Sequence, residues 1–77
     1  MTKQELKTRL KKACINAGIS RMQFVQKYYD AGYIPGNSYI NAYRYISNML
    51  TKHGSNVQEW LIDVVELQEA ENENRTN

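Results

Sequence analysis

Asn41, Arg44, Tyr45 and Asn48 are spaced so that a helix running through them would carry all four on one side. Such a row could hydrogen-bond to flat polar edges. In the major groove of DNA, arginine pairs bidentately with guanine and asparagine with adenine. Asn37 and Ser38 stand just ahead of the row and could extend it. A second group, Ser20, Arg21, Gln23 and Lys27, gathers at the start of another helical segment. There, backbone N–H groups and basic side chains together make a phosphate clamp. The same residues admit plainer roles. Asparagine and serine near a helix start serve as caps, Tyr39 and Tyr43 suit a core, and Tyr45 suits either setting.

Other chemistries find little to work with. His53 is the only histidine and Cys14 the only cysteine, and neither has a partner at ligand spacing, so no metal site and no cofactor is expected. Gly32 and Gly36 lack the lysine and serine of a phosphate-binding loop. The carboxylates gather on one late segment rather than around a cleft, and the chain is not expected to be an enzyme.

Charge is divided along the chain. Residues 1–52 hold nine Lys/Arg against two acids, a net +7, whereas residues 53–77 hold one Arg against six acids, a net −5. This suggests a basic working surface and an acidic end kept away from it, although both could be ordinary solvated helix faces. No apolar run reaches the ~18 residues of a membrane span. The basic N-terminus has no signal-peptide core, and the lone cysteine suits a reducing compartment, so a cytoplasmic setting is expected.

Four helices would position these groups. Thr2 to Glu5 forms a capping box, and Leu6, Leu10, Ala13, Cys14 and Ala17 make an apolar stripe that ends at Gly18. Cys14 is then a small core residue rather than a reactive thiol. Ser20 to Gln23 is a second box, with Ile19 and Phe24 as a hydrophobic staple and Met22, Val25, Tyr28 and Tyr29 as the stripe. All six tyrosines fall between Tyr28 and Tyr45, around a turn containing Gly32, Pro35 and Gly36. The third helix starts at Asn37 or Ser38 and buries Tyr39, Ala42, Tyr43, Ile46, Met49 and Leu50, and Gly54 ends it. Ser55 to Gln58 is a third box, placing a helix start near Asn56, followed by a stripe of Val57, Trp60, Leu61, Val64 and Leu67. Trp60 is predicted to be mostly buried against Leu10, Val25 and Ile46. The fold class is all-α, a compact four-helix domain over residues 1–70 with a disordered acidic tail over residues 71–77.

Residues 10–28, LKKACINAGISRMQFVQKY, resemble the opening of the λ-repressor-like (Xre or Cro-type) helix-turn-helix family. Leu10, Ala13, Ala17, Gly18, Ile19 and Ser20 match its first helix and its small-residue–Gly–aliphatic–Ser step, with Phe24 and Val25 near its packing positions. The order of the later elements is similar as well. The connection DAGYIPGN is several residues longer than the family's tight turn, so only the role of the third helix carries over. The resemblance implies a small regulator of a mobile element, phage or plasmid, that binds double-stranded DNA through its third helix. The rival reading is a modulator that binds a repressor or a host protein, with Tyr33, Tyr39, Arg44 and Tyr45 as its contact patch. A homodimer is expected in the first case, with the surplus apolar residues Ile62 and Val65, and Ala70 beyond them, as its surface. Those residues could equally widen the core.

Overall fold

A computed structural model describes residues 2–54 and 56–75. Four helices follow in order: α1 (Lys3–Ala17), α2 (Arg21–Asp30), α3 (Tyr39–Thr51) and α4 (Glu59–Arg75). No strand occurs among the described residues, and the fold is all-α.

The helix boundaries follow local chemistry. The Thr2 hydroxyl accepts the Glu5 N–H at 3.1 Å and donates to Glu5 Oε1 at 3.2 Å. At Ser20 the capping box is complete: its Oγ accepts the Gln23 N–H, and its own N–H donates to Gln23 Oε1 at 2.8 Å. Two helices stop in the same way. Gly18 (φ 70°) and Gly32 (φ 88°) take the left-handed conformation. The following residues, Ile19 and Tyr33, donate back to Cys14 O and Tyr28 O, closing the last turn of each helix.

The core is one cluster in which Leu6 and Leu10 of α1, Phe24 and Val25 of α2, Ala42 and Ile46 of α3, and Leu61, Val64 and Val65 of α4 meet. α1 packs chiefly on α4, and α2 chiefly on α3. Cys14 is buried within this cluster, and burial raises its thiol pKa, as suits a packing residue.

The last helix departs most from expectation. It starts at Glu59, three residues after Asn56, and Ser55, the anticipated cap, lies outside the described residues. Its buried face is Leu61, Val64, Val65 and Gln68, while Leu67 is 41% exposed. The helix is rotated relative to the predicted stripe, and Val65 is withdrawn from any dimer surface, with Ile62 only partly buried against the core. Apolar residues occur in two overlapping registers here, so periodicity alone could not choose between them.

The helix also continues through 71–75, where a disordered tail was expected; Thr76 and Asn77 are not described. Polar anchors hold this stretch in place of apolar ones. Glu71 pairs with Lys27, and Asn72 Nδ2 donates to Ala13 O at 2.9 Å. Trp60 is only partly buried, and its ring meets Tyr45 edge-on at 5.8 Å. It borders the core rather than filling it.

Candidate functional site

The connection from α2 to α3 is long but well held. Ile34 turns inward and is 4% exposed, so the loop contributes an apolar residue to the core. Gly36 sits at φ 145° against α3, where an added Cβ would meet Ala42 at 3.3 Å. Two tyrosines fix the ends. Tyr29 donates through its hydroxyl to Gly36 O at 3.1 Å, and Tyr39 donates to Asp30 Oδ1 at 2.7 Å, with the two rings 5.3 Å apart in an edge contact. Bonding to the Asp30 carboxylate holds the Tyr39 phenol above its ordinary pKa. Tyr39 is therefore a partly exposed tie for the turn, not the core residue expected, and Tyr43 is half-buried.

Ser38 caps α3, its hydroxyl accepting the Asn41 N–H at 3.1 Å. Ala42, Ile46, Met49 and Leu50 face inward. By the 3.6-residue period, the opposite face is centred on Arg44, with Ile40, Asn41 and Asn48 around it, and all four are exposed. Tyr45 stands at one margin, 39% exposed and leaning on Trp60. Asn37 is exposed in the turn just before the cap. The predicted row thus shares one outward surface on α3. Its Ile40, 59% exposed, was not anticipated, because only the polar residues of this face were read as functional.

The second predicted group comes together differently. Ser20 and Gln23 spend their side chains on each other's backbone at the α2 cap. Arg21 is half-exposed and near enough to Cys14 to oppose the rise in the thiol's pKa. Lys27 is tied to α4 instead of standing free. Its ammonium donates to Gln68 Oε1 at 3.0 Å, pairs with Glu71 and lies 5.2 Å from the centre of the Tyr28 ring. Bonding to Lys27, and next to Gln68, holds the Glu71 carboxyl below its usual range. The acidic helix claims Arg9 as well, in a two-pronged pair with Glu69. Lys3 donates to Lys52 O at 2.8 Å, at the carbonyl end of α3.

Comparison with family models, with curated proteins and with solved structures gives no match. The site must therefore be judged on its own groups. Among the described residues no His/Cys/Asp/Glu cluster could hold a metal ion, and no helix is long and apolar enough to cross a membrane.

One buried polar arrangement was not anticipated from the sequence. Gln68, wholly buried, accepts from the Tyr28 hydroxyl at 3.1 Å and from Lys27, while its amide donates to Glu71 Oε2 at 3.0 Å and Asn72 Oδ1 at 2.9 Å. The available signal was its register, since it continues the i, i+3, i+4, i+7 series of Leu61, Val64 and Val65.

Proposed function

We propose that this protein is a small DNA-binding regulator that lays α3 against the major groove of double-stranded DNA. The observation that carries the reading is the placement of Arg44. It stands at the centre of the outward face of α3, beside Asn41, with no ion pair among the described residues. Two acids of α4, Glu69 and Glu71, pair instead with Arg9 and Lys27. Arg44 and Asn41 are then free to address base edges, and the methyl groups of Ile40 could meet thymine methyls. Arg21 supplies the phosphate contact that Lys27 does not. The setting we infer is the cytoplasm of a cell carrying a mobile element, the setting that the resemblance implies.

The test is binding to labelled random-sequence duplex at low and moderate salt, followed by selection of preferred sites from a random pool. The reading requires a steep fall in affinity with salt. Arg44→Ala should cost about 1–3 kcal/mol on the selected site and less on random duplex. Arg21→Ala should weaken both alike, and Lys27→Ala should change DNA binding little. Absence of duplex binding at low salt refutes the proposal.

A second reading rests on the exposed apolar groups. Tyr33 (52% exposed), Tyr39 and Ile40 are large apolar groups exposed on α3 and the connection before it, and such groups suit a protein partner as well as DNA. If a repressor or host protein co-purifies with the wild type but not with Ile40→Asp, and duplex binding is negligible, this reading replaces the first.

A further inference from the structure

We propose that this chain assembles head to tail with copies of itself, the outward face of α1 on one copy docking on the outward face of α4 on the next. The inference is independent of whether α3 reads DNA.

The α4 face is a shallow groove lined by Asp63, Glu66, Leu67 and Ala70, all exposed. Leu67 is 41% exposed, and neither Asp63 nor Glu66 has an ion-pair partner among the described residues. The face thus sets the apolar Leu67 and Ala70 beside the carboxylates of Asp63 and Glu66. The complementary shape and charge stand on α1. Ile15 is 65% exposed, more than any other large apolar side chain described. Lys11 lies one turn before it and Lys12 beside that, both exposed and neither in an ion pair among the described residues. An apolar side chain with cationic neighbours therefore matches an apolar patch with anionic neighbours.

The two faces cannot meet within one molecule. α1 and α4 pack against each other on their buried sides, and the Arg9–Glu69 pair and the Asn72–Ala13 hydrogen bond cross that seam. Ile15 and Ala70 stand on the sides turned away from it, as the helical period dictates. Pairing a surface with a different surface is heterologous, and it continues from copy to copy unless the rotation closes a ring. A two-fold pairing of α4 with α4 would set Asp63 and Glu66 against their own copies, a like-charge contact that disfavours it.

Sedimentation equilibrium at low ionic strength tests the proposal. The weight-average mass of the wild type should climb with concentration beyond twice the 9.0 kDa of one chain, and fall back when salt screens the charges. Two variants carry the decision, each checked for helicity by circular dichroism: Lys11→Glu with Ile15→Asp on one face, and Asp63→Asn with Leu67→Gln on the other, so that the two disabled faces carry no opposite charges that could pair in the mixture. Each alone should remain a monomer. Mixed in equal amounts they should form a species of two chains and nothing larger, because each copy keeps one working face. A wild type that stays monomeric at about 1 mM overturns the proposal. So does an α1-face variant that still self-associates, or a mixture that stays monomeric.

Discussion

Gln68 and Tyr28 allow the buried polar network to be tested by a double-mutant cycle. Gln68 is wholly buried and Tyr28 is 6% exposed, and the phenol hydroxyl donates to Gln68 Oε1 at 3.1 Å. Replacing Gln68 by leucine keeps most of the volume and adds apolar contact, but it strands the hydroxyl. A buried donor without a partner costs about 1–3 kcal/mol, and burying leucine returns a similar amount, so the single variant should lie within about 1 kcal/mol of wild type. Tyr28→Phe alone removes one net hydrogen bond and should cost about 1 kcal/mol, because Gln68 Oε1 keeps the Lys27 ammonium. In the Gln68→Leu background the same change deletes an orphaned group and should be neutral or stabilising. The coupling between the two sites should therefore be about 1–2 kcal/mol. Gln68→Ala, which also opens a cavity, should cost about 2–5 kcal/mol. Urea unfolding followed by far-ultraviolet circular dichroism gives all of these values, provided that the slope with denaturant is unchanged. If Tyr28→Phe has the same effect in both backgrounds, Gln68 does not hold the hydroxyl and the network reasoning is wrong.

Phe24→Ala should cost about 3–5 kcal/mol, and Trp60→Ala only about half as much, because Phe24 is fully enclosed and Trp60 borders the core; thermal melts of the two variants check the order. Gly36→Ala should destabilise by about 1–3 kcal/mol, since it combines a φ of 145° with a 3.3 Å approach to Ala42, and Pro35→Ala should be milder in the same melts. Glu71 has a lowered pKa in the folded state, so its contribution is present above the ordinary carboxylate range and is lost as pH falls through the folded value. Glu71→Gln should accordingly flatten the acid side of a melting-temperature profile against pH, and an unchanged acid limb would contradict the Lys27 pairing.

The first three helices were legible because their signals are local. Thr2, Ser20 and Ser38 each cap within three residues of themselves, and Gly18 ends α1 through its own φ. The outward placement of Asn41, Arg44 and Asn48 follows from the same period that buries Ala42, Ile46 and Met49. What failed depended on partners distant in sequence. Lys27 looked like a free cation because Glu71 stands 44 positions away, and residues 71–75 looked unstructured because Ala13 and Lys27, which hold them, lie on other helices. Val65 and Leu67 exchanged roles for a related reason. With apolar residues on most sides of α4, the facing helix decides which are buried.

The pairing of α1 with α4 also sets the order in which the chain can assemble. The Tyr39–Asp30 contact that ties α2 to α3 spans 9 positions, whereas Arg9–Glu69 spans 60. By the logarithmic law for chain closure, the second costs about 1.7 kcal/mol more entropy than the first. The α2–α3 pair, with Ile34 folded under it, is the affordable early contact, and α1 must wait for a helix almost a full chain length away. Until α4 arrives, Leu6 and Leu10 lack its share of their cover, and the nascent protein exposes part of the apolar stripe of a cationic helix, a form open to chaperones and to proteolysis.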